Sequence, residues 1–392
     1  MRYVQRRIAS LVRQAARDFP AIVLTGPRRS GKTTLLRRLF AQAQYVLLED
    51  PDVVARVRAD PRGFVQSLRP PAILDEIQNA PELFAYARTL IDAHPHRRGQ
   101  WLLTGSQDAP LMQRVSESMA GRAAVLQLLP LSMAETDKVG LLPGGFPESL
   151  ARPRARWLWF SSYVQTYLER DVRTISAVQD LATYRRFLAI VASRHGQVLN
   201  KTDMAAPLGV SVPTIDRWLS ILEITGQVLI VQPFHRNLGK RLVKSPRLYL
   251  ADSGLACHLL GIRDQRDLDR SPFLGAVFEG MVAAEIAKAQ ANAGRRREIY
   301  FFRDHQGLEV DFAVPVGQST WLIEAKATRT PWPAMAKPML QLRGPLGGQA
   351  TRCMVVHRPT GTAPSIASLA PGAEALDLGT FVDEMNSHMA PV

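Results

Sequence analysis

One stretch constrains this chain more than any other. It reads Gly26-Pro27-Arg28-Arg29-Ser30-Gly31-Lys32-Thr33 and fits the pattern G-x-x-x-x-G-K-[ST] at every defined position. An apolar run, residues 21–24, precedes it, and Thr34 opens a segment with a helical pattern. This strand–loop–helix context distinguishes a phosphate-binding loop from a surface turn that carries Gly-Lys-Thr by chance. Because glycine-rich backbone and a helix N-terminus both attract anions, the sequence predicts a nucleoside triphosphate site at residues 26–34.

Catalytic roles follow from the residue types around this loop. Lys32 is expected to reach the β- and γ-phosphates, and the Thr33 hydroxyl to hold Mg²⁺. An apolar stretch, residues 70–74, ends in Asp75 and Glu76 about forty residues later. We expect Asp75 to bind Mg²⁺ through water and Glu76 to act as the general base toward the attacking water. ATP and Mg²⁺ are therefore the expected cofactors.

Two further positions are candidates for sensing the γ-phosphate. The predicted strand at residues 100–107 ends in small polar groups, and Thr104, Ser106 or Gln107 would suit a sensor; we favour Ser106. Arg122 lies just before the next predicted strand, residues 123–128. It is either an arginine finger that reaches the γ-phosphate of a neighbouring subunit or an ordinary surface arginine.

Composition limits the class of protein. A chain of 392 residues with 46% hydrophobic and 21% charged residues is long enough for two or three globular domains. It contains no apolar run long enough to span a bilayer, and its basic N-terminus has no apolar core of a secretory signal. The two cysteines, Cys257 and Cys353, show no metal-binding or disulfide spacing. We therefore expect a cytoplasmic protein without a membrane segment.

The positive charge is concentrated in the first two thirds of the chain. The net charge is +14, and the sequence pI is about 10.3. Residues 1–150 carry 20 basic and 14 acidic side chains, residues 151–270 carry 18 and 10, and residues 271–392 carry 11 and 11. A surface that binds a polyanion is therefore expected before residue 271.

The predicted elements and motifs together resemble a known family. Strands that alternate with helices predict an α/β fold with a parallel sheet covered on both faces. The informative segments are residues 26–29, 75–78, 103–106, 121–122, 130–132, 144–147, 167–171 and 249–255. They resemble the bacterial and archaeal family that joins an AAA-type ATPase to a C-terminal region catalogued as a domain of unknown function, DUF4143. The resemblance covers nearly the whole chain and implies an AAA+-type P-loop ATPase domain at residues 1–150.

Residues 151–270 are predicted to form a helical linker followed by a winged helix. A short helix capped by Thr202, a turn at 208–210 and a second helix capped by Ser211 give the helix-turn-helix plan. Val212, Ile215, Leu219 and Leu222 are the expected buried stripe of the second helix, and Pro207 must shorten the first helix. A stretch with five basic residues and no acidic one, residues 236–247, is the predicted wing.

This region is a candidate for nucleic-acid contact or for docking of a protein. Asp216 places a negative charge near the presumed reading face. A basic wing suits phosphate contacts, which give affinity without sequence specificity. The residues expected to contact nucleic acid are Ser211, Thr214, Arg217, Arg236, Lys240, Arg241 and Lys244.

Residues 271–392 are expected to form an α/β domain like the PD-(D/E)xK restriction endonucleases. Glu324 and Lys326 fall on one face of a predicted strand because side chains alternate along strands. Asp311 lies on the neighbouring strand, and Glu279 lies on the preceding helix. Such carboxylates bind Mg²⁺, and the lysine orients water for attack on a phosphodiester. The alternatives are a structural Glu–Lys pair, or a relic of a nuclease used for contacts.

The sequence thus favours an AAA+-type Mg-ATPase that couples ATP hydrolysis to movement along DNA or its remodelling. If Arg122 is a finger, the active form is a homo-oligomer such as a hexameric ring. Two alternatives stay open: an ATP-driven switch that binds a protein partner, and an ATP-gated DNA nuclease.

Overall fold

The computed structural model describes residues 3–105, 115, 117–168, 181–234, 244–347, 350–359 and 366–389. Its N-terminal part contains a five-stranded parallel sheet in the order β2-β3-β4-β1-β5. The strands are β1 (Ala21–Thr25), β2 (Gln44–Leu47), β3 (Ala72–Asp75), β4 (Trp101–Thr104) and β5 (Ala123–Gln127). The predicted parallel sheet is confirmed, and β4 lies between the loop-bearing strand β1 and the strand that ends in Asp75.

Helices cover both faces of this sheet. Successive β1 residues point to opposite faces, so Ala21 and Val23 join one buried cluster while Ile22 and Leu24 join another. Helices α1 (Ala9–Asp18) and α2 (Lys32–Leu39) pack on the second cluster. Helices α3 (Pro51–Ala59), α4 (Pro61–Ser67) and α5 (Leu83–Ala93) pack on the first. Burial on both faces explains why β1 is apolar at every position but its last.

The middle part begins with helices and ends in a pair of antiparallel strands. Its elements are α6 (Pro147–Ala151), α7 (Arg156–Tyr163), α8 (Leu181–Ser193), β6 (Gln197–Val198), α9 (Lys201–Ala205), α10 (Val212–Ile224), β7 (Val228–Pro233) and β8 (Arg247–Leu250). Helix α9 is short, as predicted, and a 3-10 turn that contains Pro207 follows it. Its cap is Asn200 and not Thr202, because the Asn200 side chain accepts the free backbone N–H groups at 3.1 and 3.3 Å.

The second helix of this pair differs from the prediction at one position. Ser211 caps it as expected, accepting the N–H of Thr214 at 3.3 Å. Val212 was assigned to the buried stripe but is 38% exposed, because it stands in the first turn beyond the core. Trp218 and Ile221 are buried there instead, beside Ile215, Leu219 and Leu222.

The remaining strands extend the middle pair into one sheet of nine. Its order is β13-β14-β12-β11-β10-β9-β7-β8-β6. The added strands are β9 (Tyr300–Arg303), β10 (Glu309–Val316), β11 (Ser319–Lys326), β12 (Thr351–His357), β13 (Ile366–Ala370) and β14 (Ala373–Asp377). The helices after β8 are α11 (Ser253–Leu259), α12 (Gln265–Arg270), α13 (Leu274–Asn292), α14 (Lys337–Arg343) and α15 (Leu378–His388).

This sheet crosses the position where the sequence suggested a domain boundary. Strand β7 pairs in parallel with β9, with Gln232 opposite Tyr300 and Pro233 opposite Phe301. One buried cluster likewise joins Leu131, Tyr249 and Phe312, which come from all three predicted domains. The middle and C-terminal parts therefore share a sheet and a core. Within the described ranges, no helix has both the length and the apolar content needed to cross a bilayer.

Candidate functional site

The loop between β1 and α2 has the backbone that a phosphate site requires. Gly26 has φ +138°, and a Cβ there would stand 2.2 Å from the carbonyl oxygen of Leu128. Gly31 has φ +98° and precedes the first residue of α2. Only glycine meets both conditions without strain. The strand, the loop and the helix N-terminus are placed as the sequence predicted.

Two polar side chains of the loop, Ser30 and Lys32, are buried. Lys32 is 5% exposed, and its Nζ donates to the carbonyl oxygens of Gly26 and Pro27, each at 3.0 Å. The Ser30 hydroxyl is buried and finds no hydrogen-bond partner within the described part of the chain. A buried ammonium that donates to loop carbonyls and a buried hydroxyl without a partner among the described residues are groups that phosphate oxygens would satisfy. The residues therefore fit a bound triphosphate.

Asp75 receives hydrogen bonds from three hydroxyl groups. Thr33 Oγ1 lies 2.8 and 3.0 Å from its two carboxylate oxygens, and the Tyr45 hydroxyl donates to Oδ2 at 2.8 Å. The Thr104 hydroxyl is the third donor. Burial, together with the Asp75 carboxylate, raises the pKa of Tyr45 above its usual range, so the phenol keeps its proton. A hydroxyl and a carboxylate in contact are a donor set that suits Mg²⁺.

Glu76 follows at the mouth of the same site. Its backbone is in the left-handed region, with φ +59°, and its N–H donates to Thr104 Oγ1 at 3.2 Å. The Gln78 amide donates to the Glu76 carboxylate. Thr104 thus contacts both acidic residues, in the place where a sensor was sought. Ser106 and Gln107, the other sensor candidates, lie outside the described residues.

Two cavities meet at Gly31. The first, about 420 Å³, lies over Lys32, Thr33, Asp75 and Glu76, and Arg28, Arg29, Glu49 and Glu148 also line it. The second, about 350 Å³, is more apolar and contains Tyr3, Val4, Leu131, Pro147 and Ala151. The polar cavity offers space for phosphates, and the adjoining apolar cavity offers space for an aromatic base.

Arg6, which the sequence analysis did not single out, contacts the outer side of the phosphate loop. It is 5% exposed, and its guanidinium donates to the Ser30 carbonyl at 2.8 Å and the Leu129 carbonyl at 2.6 Å. Glu135 completes the contact with an ion pair at 3.0 Å. In a trans peptide the C=O and the following N–H point in opposite directions. Holding the Ser30 carbonyl outward therefore turns the Gly31 N–H inward.

Arg122 is not near this site in its own chain. It precedes β5, at the edge of the sheet where the parallel strands begin, whereas the phosphate loop follows the end of β1. Its guanidinium pairs with Asp92 at 2.6 and 3.0 Å on the exposed surface. A role toward a γ-phosphate would require a second copy of the chain.

The predicted contact residues of α10 lie on the surface. Ser211 and Arg217 are exposed, and the Ser211 and Thr214 hydroxyls lie 2.9 Å apart. Asp216, which the sequence placed near the reading face, pairs with Lys201 of α9, so its charge is compensated. Lys244 is exposed, while Arg236, Lys240 and Arg241 lie outside the described residues.

The structure brings the four predicted nuclease residues together. Asp311 of β10 and Glu324 of β11 are 7% and 4% exposed, and Lys326 contacts both, at 3.4 Å for Asp311. Glu279 of α13 joins the group because one arginine, Arg247, pairs with both Glu279 and Asp311. Beside them is a cavity of about 710 Å³. The prediction that Glu324 and Lys326 lie on one face of β11 is thus confirmed.

A buried arginine joins this cluster and was interpreted differently from the sequence. Arg247 was counted in the basic wing, but it is 3% exposed at the start of β8. Its guanidinium lies 2.9 Å from Glu279 and 3.5 Å from Asp311, and it also pairs with Glu309. Strand β8 pairs with β7 in an antiparallel arrangement, and β7 pairs in parallel with β9, so that Arg247 lies in the C-terminal sheet.

Cations and acidic side chains lie within short distances of one another in this cluster. Burial, and then the charge of Asp311, raise the pKa of Glu279 and of Glu324 to about 8. Burial lowers the pKa of Lys326, but the Asp311 and Glu324 carboxylates outweigh it and leave that pKa above the usual range. Among the residues with a described position, no three His, Cys, Asp or Glu side chains are arranged to hold a metal ion. In this arrangement the residues do not fit a divalent metal.

Family models match three successive parts of the chain. A model described as an AAA domain (AAA_14) matches residues 18–136. Two models described as domains of unknown function match residues 139–266 (DUF8612) and residues 274–368 (DUF4143).

Curated relatives match most of the chain. The uncharacterized protein Rv2008c of Mycobacterium tuberculosis and the uncharacterized protein Mb2031c of Mycobacterium bovis are each 34% identical to it over 334 residues. Each match covers 83% of this chain and 75% of the relative.

Solved structures are more distant. A Walker-type ATPase of Pyrococcus abyssi is 16% identical, with a TM-score of 0.46 over 64% of this chain and 94% of that one. AMPPCP-bound DnaA of Aquifex aeolicus is 14% identical, with a TM-score of 0.27 over 55% and 86%. Likeness at this level says nothing about function.

Proposed function

The chain belongs to the family of AAA-type ATPases that carry a C-terminal DUF4143 region, and from this premise we propose that it is a Mg²⁺-dependent ATPase that acts on DNA. That it is an ATPase of the P-loop AAA family follows from the AAA domain match at residues 18–136. The observation that carries the proposed chemistry is the contact between Thr33 and Asp75 at 2.8 Å. It joins the phosphate loop to the acidic strand across the intervening β4.

The chain's own residues divide the work of hydrolysis. Lys32 would exchange the carbonyl oxygens of Gly26 and Pro27 for phosphate oxygens as acceptors of its Nζ protons. Mg²⁺ held by Thr33 and Asp75 would neutralise charge on the phosphates. Glu76 would accept a proton from the attacking water, and the Gln78 amide would hold its carboxylate in place. Thr104 would orient both acidic residues from behind.

DNA binding is proposed for the exposed side of α10. Ser211, Thr214 and Arg217 offer donors on one surface, and the pairing of Lys201 with Asp216 removes an opposing charge. In this proposal residues 151–270 are a helical linker and winged helix, whose basic residues contact phosphates. The neutral domain at residues 271–392 would add little affinity for DNA of its own.

A second candidate, an ATP-driven switch that binds a protein partner, rests on contacts at the loop. A Cβ on Gly226, just after α10, would stand 2.9 Å from Pro27. The Tyr163 hydroxyl lies 3.5 Å from the Arg28 carbonyl, and Arg29 pairs with Glu148 at 3.5 Å. A change in the loop on nucleotide binding would therefore reach α6, α7 and the turn after α10, whatever macromolecule the helices α9 and α10 bind.

One experiment separates the two candidates. Steady-state ATP hydrolysis is measured with and without single-stranded, duplex and branched DNA at two salt concentrations. Stimulation by one DNA form that is lost at high salt supports DNA as the partner. Arg217→Ala should weaken the stimulation. It should also reduce the slope of log affinity for DNA against log salt concentration by about 1, because one phosphate contact is lost. Arg270→Ala, an exposed arginine of α12, is the matched control. Hydrolysis that no DNA stimulates favours the protein-partnered switch.

Oligomer formation is part of the same proposal. An arginine finger at Arg122 would have to release Asp92 and enter the site of a neighbouring copy. Arg122→Ala should then keep ATP binding and assembly but hydrolyse ATP slowly. Normal hydrolysis by an assembled Arg122→Ala variant would rule out the finger.

A further inference from the structure

Arg247 occupies the centre of the C-terminal carboxylate cluster. It comes from β8 of the middle part, whereas the carboxylates come from α13, β10 and β11. Its guanidinium carbon lies 4.9 Å from the centre of the Phe301 ring, which covers one face of the cation. Burial on this scale excludes the water that would otherwise hydrate the charge.

The contacts of Arg247 are those that a metal ion would need. It pairs with Glu279, Asp311 and Glu309, so one group bridges three carboxylates. The second Asp311 oxygen accepts the backbone N–H of Ala325 at 3.0 Å and lies 3.4 Å from Lys326. Glu279 also accepts a hydrogen bond from Tyr249. The oxygens that face the middle of the cluster are thus already engaged by protein donors.

A divalent metal and this arginine compete for the same oxygens. Mg²⁺ requires near-octahedral oxygen ligands at about 2.1 Å, and a guanidinium between Glu279 and Asp311 leaves no room for that geometry. A buried arginine between two carboxylates already offsets part of their charge. Moving Arg247 out would leave the carboxylates to repel one another.

We propose that Arg247 is the resident cation of this cluster, and that it excludes a divalent metal while it fastens β8 to the C-terminal sheet. In this proposal the cluster of predicted nuclease residues holds the middle and C-terminal parts together. This proposal is independent of the nucleotide site and of any DNA partner.

Metal binding tests the proposal directly, with the full chain and Mn²⁺ as the probe. All variants carry Asp75→Asn, so that the nucleotide site contributes no metal. Free and bound Mn²⁺ are measured by electron paramagnetic resonance without nucleotide. The chain with Arg247 should bind no Mn²⁺ at 100 μM or below, in the order of magnitude where carboxylate sites bind divalent ions. Arg247→Gln should bind one Mn²⁺ per chain, and the further change Glu324→Gln should remove it.

Two outcomes overturn the proposal. One is Mn²⁺ binding at the cluster while Arg247 is present, shown by its loss in Glu324→Gln. The other is a folded Arg247→Gln variant that binds no Mn²⁺. If Arg247→Gln does not fold, Arg247→Lys decides instead. Lysine keeps the charge and should exclude Mn²⁺, so that binding by Arg247→Lys contradicts the proposal.

Thermal unfolding gives a second readout. Arg247→Gln should lower the Tm by roughly 10 °C, since it leaves buried carboxylates without their partner. Mn²⁺ should restore much of that loss. The matched control is Arg352→Gln, which removes an arginine that pairs with Glu374 and Glu384 elsewhere in the same sheet. Its Tm should fall without recovery in Mn²⁺, and equal recovery in both variants would contradict a specific exchange of arginine for metal.

Discussion

Asp75 and Asp311 are both buried, but the groups that contact their carboxylates differ. Asp75 receives three hydroxyl groups, from Thr33, Tyr45 and Thr104. Asp311 faces two cations, Arg247 and Lys326. Hydroxyl donors fix a carboxylate without cancelling its charge, so the charge is left for an incoming metal. Fixed cations cancel it in the folded protein. In our proposals the same residue type therefore serves ligand binding in one half of the chain and structure in the other.

The largest expected effect comes from removing each carboxylate charge. Asp75→Asn should lower kcat for ATP hydrolysis about 100-fold or more, because the Mg²⁺ position loses its charged ligand, with little change in Tm. Asp311→Asn should lower the free energy of unfolding by about 3 kcal/mol, because Arg247 and Lys326 lose their common anion.

Steady-state hydrolysis and thermal unfolding of both variants check this contrast. The comparison would be broken if Asp75→Asn were mainly destabilising, or if Asp311→Asn unfolded at the same temperature as the unchanged chain.

How far the sequence could predict these two sites depends on the distance of their contacts along the chain. Thr33 and Asp75 were both assigned to Mg²⁺, and the structure brings their side chains into contact, since the loop and the end of β3 lie at the same edge of a parallel sheet. Alternation along β11 likewise placed Glu324 beside Lys326 correctly. Arg247 was assigned to a basic surface, and this was wrong. Its burial depends on the pairing of β7 with β9, a contact that no local sequence pattern predicts.

Arg6 and Tyr45 were missed for a related reason. Arg6 stands in a basic N-terminal stretch that looks solvent-exposed, and its partners lie more than 120 residues away, apart from Ser30. Tyr45 lies on β2, but the direction of its hydroxyl depends on the adjacent strand β3. Element types were predictable here, whereas the donors that surround a charge were not.

The next effect concerns a neutral group beside the C-terminal cluster. His195 is fully buried against Tyr249, and its Nδ1 accepts the backbone N–H of Leu250 at 2.9 Å. Burial lowers the pKa of His195 to about 4. In the unfolded chain the pKa of His195 is about 6.5. Between pH 4 and pH 6.5, His195 is therefore protonated in the unfolded chain but neutral in the folded chain.

Stability contributed by His195 is therefore complete above pH 6.5 and is lost as the pH falls toward 4. The loss should reach about 3 kcal/mol. His195→Asn keeps an acceptor for Leu250 but has no proton to gain, so urea unfolding at pH 7 and pH 4.5 should show a smaller difference than in the unchanged chain. An identical pH dependence in both would place the sensitivity elsewhere.

A smaller effect is expected at Arg6, which acts on the nucleotide site through the Ser30 carbonyl. Arg6→Gln should lower kcat/KM for ATP roughly tenfold, mainly through KM, because the Gly31 N–H is no longer fixed toward the phosphates. Arg6→Lys, which can still donate to Ser30, should recover part of this loss.

Glu135→Gln is the matched control for Arg6. It removes the charge of the ion pair but leaves the bond from Arg6 to Ser30. We expect a lower Tm with an almost unchanged KM. If Glu135→Gln raised KM as much as Arg6→Gln, the effect of Arg6 would be one of stability and not of loop orientation.

The smallest effect tests whether a neutral donor shapes the Asp75 site at all. Tyr45→Phe removes one of the three hydroxyl groups that donate to Asp75 and leaves the ring near Arg37, whose guanidinium lies 4.8 Å from the ring centre. When Thr33 turns to a metal, Asp75 would keep only Thr104 as a fixed donor. The carboxylate would be less well oriented, so the Mg²⁺ concentration for half-maximal hydrolysis should rise about threefold. Tyr86→Phe, a half-buried tyrosine of α5, should leave it unchanged. An unchanged Mg²⁺ requirement in Tyr45→Phe would mean that Thr33 and Thr104 alone orient Asp75, and the contrast with Asp311 would then rest on two hydroxyls instead of three.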